Sequence, residues 1–76
     1  MGNPDLIQRI SSDPDICHGK PVILGTRIPV YLVVSLVAEG ESTDSIIKDY
    51  PSLTPLDIQA ALRYAAKLSE YEAYAL

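Results

Sequence analysis

Gly19-Lys20-Pro21-Val22-Ile23-Leu24-Gly25-Thr26-Arg27-Ile28-Pro29-Val30 decides how this chain is read. Two glycines, two prolines and two cations surround a short β-branched run, and a helical pattern follows directly. The stretch predicts a rigid basic hairpin feeding a helical unit. Ile16-Cys17 and Val22-Ile23-Leu24 are strand candidates on either side of His18-Gly19-Lys20-Pro21. Gly25-Thr26 reads as a second turn, and Arg27-Ile28 leads out of it. Toward the N-terminus, Ser11-Ser12-Asp13-Pro14-Asp15 is dense in turn formers and reads as a loop. Leu6 to Ile10 carries a weak apolar pattern that suits either a strand or one helical turn.

Toward the C-terminus the signals are those of three helices. Pro29 suits the first turn of a helix, where a missing N–H costs nothing. That helix should run from Val30 to about Glu39 and stop at Gly40, where a left-handed cap is needed. Val30, Leu32, Val33, Val34, Leu36, Val37 and Ala38 leave it almost no polar face, so it should be buried on several sides, partly by a second subunit. Ser42 is a good N-cap and Asp44 favours a helix start, so a short second helix spans Thr43 to about Asp49. Ile46, Ile47 and Tyr50 face inward, and Pro51 ends it.

Thr54 caps the third helix, with Pro55 in its first position and Asp57 three residues past the cap, a capping box with Asp in place of Glu. Ile58, Ala61, Leu62 and Ala65 make one buried stripe. Leu56, Ala60, Tyr64, Lys67, Tyr71 and Tyr74 fall within a third of the circumference at about 100° per residue and make a second. Tyrosines with a lysine stem among them suit a protein contact. The fold expected is mainly α: a tri-helical, homeodomain-like helix-turn-helix bundle over about 30–71, preceded by a β-hairpin region over about 8–30, in one domain, 1–76.

The totals bound the function. A chain of 76 residues buries only about 60% of the surface its unfolded form exposes. One cysteine allows no internal disulfide, and no Cys/His cluster suggests a metal. Pairing with a second copy is the expected stabiliser, so Val33, Val37, Leu56, Ala60, Tyr64, Tyr71 and Tyr74 form the expected dimer or partner surface. The net charge of −4 opposes strong non-specific nucleic-acid binding. Between Ile16 and Val37, however, the only charges are Lys20 and Arg27, a locally basic tip on an acidic body. The N-terminus has no basic region followed by an apolar run, and Ile28 to Ala38 is too short to span a bilayer. A cytoplasmic protein with no membrane partner is expected.

In a helix-turn-helix the helix after the short one enters the major groove. The exposed start of the third helix then offers Asp57, Gln59, Arg63 and Lys67, with Gln59 suited to adenine and Arg63 to guanine or phosphate. Lys20 and Arg27 add phosphate contacts; the alternative for Arg27 is a structural pair with Asp13 or Asp15. The Gly19-Lys20 pair lacks the spacing of a phosphate-binding loop, and Pro21 removes a donor. Cys17 and His18, adjacent on a strand, would point to opposite faces and make a poor nucleophile–base pair. No convergent acid, base and nucleophile set is visible, so an enzyme is not expected; a small hydrolase would need a pocket joining Cys17 or His18 to an acid. No cofactor is expected.

Ile16 to Val30 resembles the signature of a small prokaryotic family, domain-of-unknown-function family 433. A second signature is similar to Glu39-Gly40-Glu41-Ser42, Ile46-Ile47 through Asp49-Tyr50-Pro51, and Leu53-Thr54 through Ala60-Ala61-Leu62 to Tyr64-Ala65. The likeness runs from about Gln8 to Lys67. The family pattern often has Gly where His18 stands. The resemblance implies a homeodomain-like tri-helical dimer of the Vap antitoxin type, paired with a toxin resembling a PIN-domain ribonuclease from a neighbouring gene. With the chain ending soon after the third helix, a toxin would be met by the folded body or the tyrosine stripe. Two-fold symmetry would set the recognition helices about one DNA turn apart on a palindromic operator. The rival expectation is a protein-interaction module of the same shape with no DNA role.

Overall fold

The computed structural model describes the backbone of residues 4–75 and, within them, the side chains of Leu6 and residues 8–70. A 3-10 turn, Pro4–Arg9, leads into β1 (Ile10–Ser11). A long connection reaches β2 (Val22–Ile23), and three helices follow: α1 (Val30–Ala38), α2 (Thr43–Asp49) and α3 (Pro55–Ala75). The architecture is a tri-helical bundle behind a two-stranded antiparallel hairpin, as the signals along the chain predict.

The hairpin is wider than its residues suggest. Ile10 pairs with Ile23 and Ser11 with Val22. On its other side β2 meets the exit segment, with the Ile23 N–H donating to the Ile28 carbonyl at 3.0 Å and a bridge between Val22 and Pro29. Val22 and Ile23 are fully buried because they are flanked on both sides. Ile16-Cys17 is not a strand. Asp13 turns the chain first: its carboxylate accepts from the Asp15 N–H at 2.8 Å and its carbonyl from the Ile16 N–H at 2.9 Å. Local hydrogen bonds of this kind outcompete a ladder.

The helix boundaries follow the capping residues. Gly40, at φ +93°, closes α1 with its N–H on the Val37 carbonyl while the Glu41 N–H reaches the Leu36 carbonyl, a Schellman arrangement. The Ser42 hydroxyl accepts from the Ser45 N–H at 3.1 Å and opens α2. Thr54 and Asp57 form the predicted reciprocal box: the Thr54 N–H donates to Asp57 Oδ2 at 2.9 Å, and the Asp57 N–H to Thr54 Oγ1 at 3.3 Å.

Val30 and Val33 of α1, Ile46 of α2, Leu53, and Ile58 and Ala61 of α3 converge with Ile23 into one core. Ile47, Tyr50 and Val37 pack against its edge. Two expectations for α3 need correction. Ala60 is buried in the domain (1% exposed), not on a partner face, whereas Leu62 is exposed. The buried face is turned by roughly 70° from the predicted stripe, at about 100° per residue. The cause is the Pro4–Arg9 turn, which lies against α3 and buries Leu6 there. Likewise Val33 is 0% exposed at the centre of the core and cannot meet a second subunit.

Asp57 also departs from expectation. It is not an exposed acid but 7% exposed, with Oδ1 held by Arg9 Nη1 at 3.1 Å. Each oxygen has its own donor, so one carboxylate caps α3 and anchors the N-terminal turn. Asp57→Ala should cost about 2–3 kcal/mol, from a lost cap and an unpaired Arg9. Arg9→Ala, half-exposed, should cost about 1 kcal/mol. In urea titration the double variant should be no less stable than Asp57→Ala alone by more than a few tenths of a kcal/mol, because both act through one carboxylate. Full additivity would mean that Arg9 acts elsewhere.

Candidate functional site

Three surfaces gather the polar residues that the sequence singles out. The first is the outer face of α3. Gln59, Arg63 and Lys67 recur every fourth residue, so about 100° per residue sets them in one slightly drifting row. All three are exposed. Arg63 and Lys67, with Ala66 and Glu70, rim a shallow open hollow of about 350 Å³. Leu56 and Leu62 flank the row and are exposed as well. Asp57 points the other way, into its pair with Arg9, so its charge is neutralised within the domain. The row itself carries two cations against Glu70.

The second surface is the hairpin. Cys17, His18 and Gly19 take φ values of +51°, +57° and +83°, three consecutive left-handed residues. The Gly19 N–H donates to the Ile16 carbonyl at 3.0 Å and the Lys20 N–H to the Cys17 carbonyl at 3.1 Å. The Cys17 thiol lies 3.5 Å from the Arg27 carbonyl and ties this turn to the exit segment. The Thr26 hydroxyl donates to the Ile23 carbonyl at 2.7 Å and accepts from the Ile28 N–H at 3.0 Å, which leaves Arg27 projecting at the surface. Arg27 makes no ion pair with Asp13 or Asp15; among the described residues the ion pair is Arg9–Asp57. Ser11, Asp13, Thr26 and Arg27 share an open hollow of about 480 Å³.

The third surface is a groove of about 430 Å³ between α1 and α3. Lys20 belongs here. Its ammonium sits 5.2 Å from the centre of the Tyr31 ring, a cation–π contact at the rim. Tyr64 and Leu68 line the α3 side. The structure therefore separates the expected cations: Gln59, Arg63 and Lys67 form a unit, Arg27 stands at the hairpin, and Lys20 faces the groove on the far side of α3. Of the expected partner residues, Tyr64 lines the groove, Val37 is half-buried, and Leu56 is on the outer face. The Tyr71 and Tyr74 side chains lie outside the described residues. Arg9, Tyr31 and Leu68 escape a reading of the sequence. Arg9 is 48 positions from Asp57, and no local spacing reports that contact.

Among the described residues no group of three or more His, Cys, Asp or Glu gathers as a metal site. No described helix is long and apolar enough to cross a membrane.

The family model for proteins of unknown function named DUF433 matches residues 10–65. The chain belongs to the DUF433 family. It is 45% identical over 56 residues to the uncharacterized protein y4eO of Sinorhizobium fredii, covering 74% of this chain and 25% of that protein. The crystal structure of a DUF433 member from Anabaena variabilis superposes with a TM-score of 0.75 at 33% identity, covering 83% of this chain and 62% of that one. The chain thus spans a quarter of the curated relative and under two thirds of the crystallised one. The matched segment begins at β1 and ends at Ala65, where α3 leaves the core. It omits Arg9 and Leu68.

Membership makes sense of one departure from the resembling pattern. Where the DUF433 signature often carries Gly, His18 adopts φ +57°, a conformation that costs an L side chain about 1–2 kcal/mol. His18→Gly removes that strain but adds freedom to the unfolded chain. The net gain should be about 0.5–1 kcal/mol, whereas β-branched His18→Val should lose about 1–2 kcal/mol. Thermal unfolding of the two variants checks the sign; a stabilised His18→Val would show that the turn is not left-handed.

Proposed function

We propose that this DUF433 protein is a non-enzymatic, antitoxin-like regulator that works as a homodimer and meets DNA with the outer face of α3. The observation that carries the reading is the Gln59, Arg63 and Lys67 row, exposed on a helix that follows a short helix and a tight turn. Asp57 is the acid that would repel a phosphate at the start of this helix, and Arg9 already pairs with it. Gln59 suits the two-point edge of adenine and Arg63 that of guanine, with Lys67 on a phosphate. Arg27, projecting from the hairpin, adds a phosphate contact from a second element. The antitoxin role, with a PIN-like ribonuclease as the neutralised toxin and a palindromic operator as the DNA, is supported by the family resemblance.

A second reading, a protein-interaction module without DNA, is supported by Leu56 and Leu62, exposed apolar side chains on the same face, and by the net charge of −4. Fluorescence anisotropy on the DNA upstream of the chain's own gene separates the two. Under the DNA reading, Arg63→Ala, Lys67→Ala and Arg27→Ala should each flatten the slope of log affinity against log salt by about 0.9. Gln59→Ala should cost about 1–3 kcal/mol at one base pair while leaving that slope unchanged. Capture of the neighbouring gene product by a protein with no affinity for the DNA would select the module.

A further inference from the structure

The groove between α1 and α3 has no occupant within the chain, and two independent observations say that it needs one. The first is surface. The chain exposes 5455 Å². A folded protein of 8.3 kDa is expected to expose about 4,600 Å². The excess, roughly 900 Å², is close to the area of about 800 Å² that each partner buries in a standard interface.

The second observation is the course of α3. Its core-facing stripe runs Ile58, Ala61, Ala65, Leu68 at helical spacing. Ala61 is sealed in the domain, and Ala65 lies at the core's edge. Leu68 continues the same stripe with 49% of its surface in water. Ala66, Lys67, Leu68, Ser69 and Glu70 are all exposed, so α3 runs on with little of the chain against it. A helical segment of about ten residues is marginal in water without packing. Facing Leu68 across the groove stands Tyr31 of α1, 59% exposed, with Val34 beneath.

We infer that this groove is the seam of the homodimer: Tyr31 and Val34 of α1, with Tyr64 and Leu68 of α3, meet the same residues of a second copy across a two-fold axis. This rests on the dimeric reading above and names its surface. A second copy is the occupant because the missing stabilisation belongs to the fold and must be present whenever the chain is folded; one cysteine supplies no internal disulfide. Lys20 is the charged residue on this lining, and Tyr31 holds its ammonium at the rim, so the seam is apolar at its centre and polar at its edge. Joining copies here leaves the Gln59, Arg63 and Lys67 rows of both helices on the outside.

Sedimentation velocity on the full chain tests this. The wild-type protein should be dimeric at about 50 µM, a concentration at which a micromolar interface is filled. Leu68→Glu and, from the other helix, Tyr31→Glu should each raise the dimer dissociation constant at least about tenfold. Circular dichroism should remain helical, since both side chains are exposed. Leu24→Glu, an equally exposed site on the hairpin, should leave association unchanged. A folded wild-type monomer at that concentration, or a dimer that ignores both groove substitutions, would overturn the seam. A dimer through this seam with no affinity for DNA would remove the DNA reading alone. A folded monomer that still binds its upstream DNA would remove the seam alone.

Discussion

The Asp57 carboxylate is the contact on which most of the architecture turns. One oxygen takes the Thr54 N–H and starts α3 where the turn after α2 ends. The other takes Arg9 and draws the Pro4–Arg9 turn onto the helix. Nearly out of water, the carboxylate is acceptable only because each oxygen has a donor. The pair therefore ties the two ends of the domain to a single side chain. It also determines which face of α3 is covered, and so which face remains free to meet a partner.

That assignment gives α3 three functions around its circumference. The side toward α1 and β2 closes the core through Ile58 and Ala61. The side toward the N-terminal turn is sealed by Leu6 and by the Arg9 pair. The remaining side carries Gln59, Arg63 and Lys67 into solvent. Past Ala65 the body ends while the helix continues, and its core-facing stripe becomes an external one at Leu68. A single long helix thus connects the face proposed for DNA with the seam proposed for the dimer. Its rigidity would hold two such rows at a fixed separation, which reading a two-fold operator requires.

The hairpin does a different job. Its two-residue strands are too short to be stable alone. They persist because β2 is paired on both sides and Val22 and Ile23 drop into the helical core. The left-handed turn at Cys17–Gly19 and the Thr26 side-chain bonds then shape the segment that carries the DUF433 signature. The chemistry of that signature is therefore largely backbone geometry: glycine where φ is positive, proline where a donor is not needed, threonine where its hydroxyl closes a turn. Lys20 and Arg27 end on different surfaces, although they are seven positions apart.

The extents of the helices, their caps and the capping box at Thr54–Asp57 were legible in the chain, because each depends on residues within four positions of one another. So was the apolar character of α1 and α2. The span of the hairpin was not legible, because Asp13 and the left-handed turn divert Ile16-Cys17 from the ladder that its β-branching suggests. Nor was the orientation of α3: Ala60 and Leu62 exchange places once the Pro4–Arg9 turn arrives from 48 positions away. Local hydrogen bonding and periodicity write the elements into the sequence. Which faces meet is decided by long-range packing, where one paired carboxylate and one short turn outweigh a stripe of alanines and leucines that reads equally well in two rotations.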